Sequence, residues 1–178
     1  MNYLDNIPAY QRDSFVNAVN YYSELLDIQP DWLVGVMYFE SKLNPAAVNP
    51  VTGATGLIQF MPATAKALGT TTEALKNMSA YEQMVYVYNY LKPYTGRMRS
   101  LVDVYFAVFF PKAIGASRNT VLQTSKLKAS TIAKQNPIFD TNKDMAITVG
   151  EVEDYVNSYL CNKKKSLIGR LWQALLDW

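Results

Sequence analysis

A chain of 178 residues, 49% apolar and 18% charged, can bury the core of one domain with room for a small appendage, and is not a disordered polymer. A net charge of +2 argues against nucleic acid as a partner, and a single cysteine, Cys161, excludes an intramolecular disulfide framework. Histidine is absent, which removes Ser-His-Asp and Cys-His nucleophiles and His-ligated zinc; carboxylates stand ahead of tyrosine, lysine and the lone cysteine as acid-base groups of any enzyme. The first residues, Met-Asn-Tyr-Leu-Asp, lack the basic and apolar parts of a secretory signal, and the longest apolar run, Val104 to Phe110, is too short to span a bilayer.

Residues 8–26 predict an amphipathic helix, with Phe15, Val19, Tyr22 and Leu26 at helical spacing. Pro30 and Asp31 suit the start of the next helix, whose apolar face is Trp32, Leu33, Val36, Met37 and Leu43. Pro45 forces Asn44 out of helical geometry and is expected to end that helix there. Glu40 then lies near a helix C-terminus among apolar neighbours. Desolvation and the helix dipole both disfavour its charged form, so its pKa is expected to be raised, as a general acid requires. Residues 45–56 hold two prolines, two glycines and three alanines, a small-residue loop that can bring backbone close to a ligand.

A short helix is predicted from Pro62 through Leu68, stopped by Gly69, and another around Glu73–Lys76. Ser79-Ala80-Tyr81-Glu82 is a capping box. It opens a helix with Tyr81, Met84, Val85, Tyr88 and Leu91 on one face, ending near Pro93. Residues 100–110, nearly all apolar, predict a helix buried on most sides. No strand pattern competes in these first two-thirds. Residues 116–136, rich in Ser, Thr, Lys and Asn, predict a linker or surface segment.

Asp140 to Glu151 fits the twelve-residue calcium loop. Asp140, Asn142, Asp144, Thr148 and Glu151 supply side-chain oxygens at positions one, three, five, nine and twelve, Ala146 a carbonyl at seven, and Ile147 the apolar eighth residue. Position six, where the turn needs positive φ and glycine is usual, is Met145, at a cost of about 1–2 kcal/mol. The flank Asn136-Pro137-Ile138-Phe139 is not an obvious helix, which suggests half a hand with a structural Ca2+. In the tail, Lys163-Lys164-Lys165 precedes Ser166, which can cap a helix carrying Leu167, Ile168, Leu171, Trp172, Leu175 and Leu176 on one face. That helix either packs on its own domain or, through 163–178, touches the envelope or a virion partner.

Glu40-Ser41, Asn44-Pro45 and Gly56-Leu57-Ile58-Gln59-Phe60-Met61-Pro62-Ala63-Thr64-Ala65, in that order, resemble the soluble lytic transglycosylase (SLT) group of the lysozyme-like superfamily, over roughly residues 25–115. The resemblance implies a lysozyme-like, SLT-type helical domain over 1–115; with the patterns above, the chain reads as mainly α, with a linker over 116–136, an EF-hand-like calcium loop and helix over 137–160, and an amphipathic C-terminal helix over 161–178. It implies Glu40 as sole catalytic acid/base, Ser41 shaping that helix end, and Gln59 and Met61 lining the cleft. Asn49 stands where relatives often have serine and can still donate to an N-acetyl group. Phe109 takes the place of a tyrosine that supports the acid, and Tyr105 or Tyr88 are the candidate substitutes.

The implied substrate is the glycan strand of bacterial peptidoglycan. Two-carboxylate glycosidases need a second Asp or Glu, yet none lies between Glu40 and Glu73. The resemblance therefore points to cleavage of the MurNAc-β-1,4-GlcNAc bond with acetamide assistance and a 1,6-anhydro product. The alternatives are a water-using muramidase of goose-type kind and a non-catalytic peptidoglycan-binding virion component, the latter favoured by Phe109 and Asn49. Size and features further suggest a phage-encoded protein acting on the host wall, virion-borne or released at lysis.

Overall fold

The computed structural model describes residues 3–160. Cys161 and the expected tail helix over 163–178 lie outside the described residues. The chain divides into two compact units between Leu101 and Val102. Among the described residues the regular elements are helices, with three isolated β-bridges and no strand, so the expectation of a mainly α chain holds. No helix among them is long and apolar enough to cross a membrane.

In the first unit, two 3-10 turns, Tyr3–Asn6 and Ala9–Gln11, lead into α1 (Arg12–Leu26). Phe15, Ala18, Val19 and Leu26 are its buried stripe, and it packs on α2 (Pro30–Ser41) and α5 (Ala80–Leu91). Pro30 occupies the first turn of α2, where its missing N–H has no partner to lose. From Leu33 to Tyr38 every residue of α2 is buried, which makes it the central helix of this unit. Full burial of Leu33, Val36 and Met37 stabilises the unit by roughly 1.5–3 kcal/mol each.

The helix ends three residues earlier than Pro45 alone dictates. Lys42 caps it in the left-handed region (φ 57°), and Leu43 follows at φ 59°. Two non-glycine residues in that region cost about 1–2 kcal/mol each. Leu43 is fully buried, and its burial helps to offset that strain. The small helices α3 (Pro62–Ala67) and α4 (Thr72–Asn77) come next. Ser79 and Glu82 form the expected reciprocal cap on α5.

The second unit contains α6 (Leu101–Phe109) beyond its first residue, α7 (Ala129–Gln135), and helix α8 over 149–160. The stretch over 116–136 is not a spacer. Leu122, Ile132 and Ala133 are buried, and α7 forms there. Val121 bridges antiparallel to Thr148, with Leu122 N–H donating to the Ile147 carbonyl at 2.8 Å and Val149 N–H to that of Thr120 at 2.9 Å. Arg118 closes this pairing by donating to Glu153 and to both oxygens of Asp154 on α8.

Candidate active site

Glu40 is the next-to-last residue of α2, partly exposed and set among apolar neighbours. Burial holds its carboxyl up at about 7, against the pull of Lys42 in the other direction. Lys42 is itself drawn over the helix end. Its Nζ donates to the carbonyls of Tyr38 and Phe39, each at 3.3 Å, and lies 5.0 Å from the Tyr38 ring centre. The cation thus complements the negative end of the dipole, and desolvation still decides the state of Glu40.

Facing the helix end is the loop from Pro45 to Phe60. It folds on itself through two bridges, Val48 to Thr55 and Thr55 to Phe60. Thr55 and Phe60 exchange both backbone hydrogen bonds, at 3.0 and 2.8 Å, which leaves Gly56-Leu57-Ile58-Gln59 as a tight turn. Gln59 sits at its end with φ 53°, and its Nε2 donates to the carbonyls of Ala47 and Gly56. Ser41 joins loop to helix. Its buried Oγ lies 3.0 Å from both the Met37 and the Leu57 carbonyl, so it shapes the helix end from inside.

The remaining first-unit candidates are spread around this frame. Met61 is about half exposed at the start of α3. Asn49 is exposed, and its Oδ1 accepts the N–H groups of Val51 and Thr52, which sets the turn. Tyr88 turns its ring to α1, stacked on Tyr22 with centroids 5.2 Å apart. The tyrosine that shares the electrostatics of Glu40 is Tyr90. Its hydroxyl is pushed up to about 12, by burial first and then by Tyr94 and Glu40, and so remains a hydrogen-bond donor. Its ring meets Phe60 edge-on at 6.2 Å. Tyr90 is not among the candidates named from the sequence. Its nearness to the acid follows from the packing of α5.

In the second unit, Tyr105 and Phe109 stack at 5.6 Å and both contact Phe139, which meets Tyr155 edge-on. Tyr105 is buried in this aromatic cluster.

The loop from Asp140 carries the expected donors, all oxygen, which suits calcium. Asp140 Oδ2 accepts Met145 N–H, Asn142 Oδ1 accepts Asp144 N–H, and Asp144 Oδ1 accepts Ala146 N–H. These bonds wrap the chain around the acidic side chains. Met145 takes φ 67°, the geometry its position demands. Asp140 Oδ1 is buried with no hydrogen-bond partner, an atom that a cation would satisfy. Glu151 is engaged elsewhere, with one oxygen accepting from Thr141 and the other from Thr148. Burial works against its charge, but these hydrogen bonds prevail and hold its carboxyl below the usual range. Among the described residues no three Asp, Glu, Cys or His side chains converge on one point. The oxygens of Asp140, Asn142, Asp144, Ala146 and Thr148 are of the kind calcium takes, whereas Glu151 joins such a set only by exchanging its threonine partners.

No curated protein matches the chain. The sequence profile of the transglycosylase SLT domain matches residues 17–106, which take in most of α1, the Glu40 helix end, the Gly56–Gln59 turn and α5. Half the chain, including every element that frames Glu40, thus carries the pattern of one family: the chain belongs to the transglycosylase SLT family and is a peptidoglycan lytic transglycosylase.

Proposed function

We propose that Glu40 is the sole acid/base and that the bond cleaved is MurNAc-β-1,4-GlcNAc. The observation that carries this reading is a carboxyl held at about 7 at an apolar helix end, where Lys42 is the charge that acts on it. A group so poised can serve in both protonation states at neutral pH. Protonated Glu40 gives its proton to the glycosidic oxygen as the C1–O4 bond breaks, and the GlcNAc 4-hydroxyl leaves. The MurNAc acetamide oxygen bonds to C1 meanwhile. Glu40, now a carboxylate, takes the proton of the MurNAc O6 hydroxyl as O6 attacks C1 and the acetamide departs. The product is a 1,6-anhydro end, no water is consumed, and Glu40 is protonated again. Tyr90, kept as a donor, is suited to steady the carboxylate between the two halves, the supporting role for which Tyr88 and Tyr105 were the candidates. Mass spectrometry of digested peptidoglycan tests the scheme. Anhydro ends are expected, and products heavier by one water would establish hydrolysis instead.

We propose in addition that the Asp140 loop takes a structural Ca2+. The buried, unpartnered Asp140 Oδ1 supports this reading. At about 100 times its Kd, calcium is expected to add about 2.7 kcal/mol of stability, with a higher Tm. Asp140→Ala should lose that rise, and an unchanged wild-type melt with calcium or EDTA would refute the site. A phage-encoded origin is carried by the resemblance alone.

A further inference from the structure

Gln83 is fully buried in the apolar stripe of α5, beside Ala80, Met84 and Val87. A carboxamide in such a place is costly unless its hydrogen bonds are made. Here they all go to backbone distant in sequence. Its Oε1 accepts the Leu57 N–H at 2.9 Å, and its Nε2 donates to the carbonyls of Pro45 at 2.6 Å and Leu75 at 2.7 Å. Pro45 starts the loop that faces Glu40 and Leu57 lies in the turn that carries Gln59, while Leu75 belongs to α4. One side chain therefore ties both ends of the loop to the same helix.

The Leu57 backbone is held on both sides of its Cα, its N–H by Gln83 and its carbonyl by the hydroxyl of Ser41, the residue after Glu40. The approach is so close that a Cβ on Gly56 would lie 2.4 Å from Gln83 Oε1. We infer that Gln83 is a positioning residue for the reaction: acting through the Leu57 backbone and Ser41, it sets the separation between Glu40 and the Gln59 turn. This inference rests on Glu40 being the acid/base. Misplacement by about 1 Å can cost about a hundredfold in rate, so the effect belongs in kcat.

The test uses the full chain, a soluble peptidoglycan oligomer, and the variants Gln83→Met, Gln83→Glu and Glu40→Gln. Gln83→Met keeps volume and removes all three hydrogen bonds. It is expected to melt cooperatively, to lower kcat about 10- to 100-fold with KM changed less than about threefold, and to speed exchange of the Leu57 amide. Gln83→Glu keeps shape; as a carboxylate it accepts from Leu57 but donates to neither carbonyl, whereas the protonated acid donates to one. Its kcat relative to wild type is therefore expected to rise about tenfold from about pH 8 to about pH 5, at a temperature where circular dichroism finds both fully folded. A role in stability alone would leave that ratio flat. A flat ratio, a folded Gln83→Met with wild-type kcat, or unfolding of both variants at room temperature would overturn the inference. If Glu40→Gln is inactive while Gln83→Met is fully active, the Gln83 inference alone falls. If Glu40→Gln is active, the acid assignment falls and takes this inference with it.

Discussion

Exchange of Glu40 for glutamine is expected to lower lytic activity about a thousandfold or more and, at alkaline pH, to make the protein more stable. The first effect follows from removing the only group assigned to move protons in either half of the reaction. The second follows from linkage. The carboxyl has an ordinary value of 4.5 and is held at about 7 in the folded chain. Below the lower value both folded and unfolded chains are protonated, and nothing is lost. Between the two the folded chain keeps a proton that the unfolded chain has released, so stability falls as pH rises. Above about pH 7 the accumulated loss is about 3 kcal/mol. Glu40→Gln carries no charge at any pH and escapes that loss. Urea unfolding of both proteins should give equal stability near pH 4 and a gain for the variant near pH 8. A difference that does not change with pH would mean that the carboxyl is not desolvated. Activity should follow the same titration, falling in the wild type as pH rises past about 7, because the acid must enter the reaction protonated.

The second large effect is expected at Gly56. It holds φ +86°, and a Cβ there would meet Gln83 Oε1 at 2.4 Å. Gly56→Ala therefore combines two penalties. The left-handed backbone costs about 1–2 kcal/mol for any side chain. Displacing Gln83 strands the Leu57 N–H and the Pro45 and Leu75 carbonyls, at about 1–3 kcal/mol for each group left unsatisfied. A total of at least about 4 kcal/mol is expected, about 1–2 kcal/mol more than Gln83→Met loses by stranding the same groups without backbone strain. Gly69 supplies the control: its φ is +77° but nothing lies within 4 Å of a Cβ there. Gly69→Ala should cost only the backbone penalty, about 1–2 kcal/mol. Equal losses in the two variants, measured by denaturant midpoints, would show that contact with Gln83 is not what Gly56 provides.

Much of the frame was legible because local chemistry and global packing agree. Pro30, the apolar run after it and the Ser79-Glu82 cap each specify a helix start or face by themselves. The burial of Glu40 could be anticipated from its neighbours alone. The end of α2 could not. Pro45 restricts the residue before it, whereas the chain actually turns at Lys42 and Leu43, whose left-handed backbone no glycine announces. Gln83 left one signal, a glutamine at 83 in the stripe 80, 84, 87 and 91, but its partners lie up to 38 residues away and no local pattern names them. The same reason hid the role of 116–136. Its polar composition masked Leu122, Ile132 and Ala133, and the pairing of Val121 with Thr148 is a tertiary contact. Tyr90 was hidden in the same way, because its part in the site emerges only when α5 brings it beside Phe60 and Glu40.

The braces around the helix end are the Gln83 carboxamide, the Ser41 hydroxyl, the Gln59 amide and backbone peptides. None of them gains or loses a proton between mild acid and mild alkali. Buffers across that range will alter the protonation of the working carboxyl while its mounting stays chemically the same. A rate profile taken there can be fitted as the titration curve of one group, without a second curve for loosening of its support.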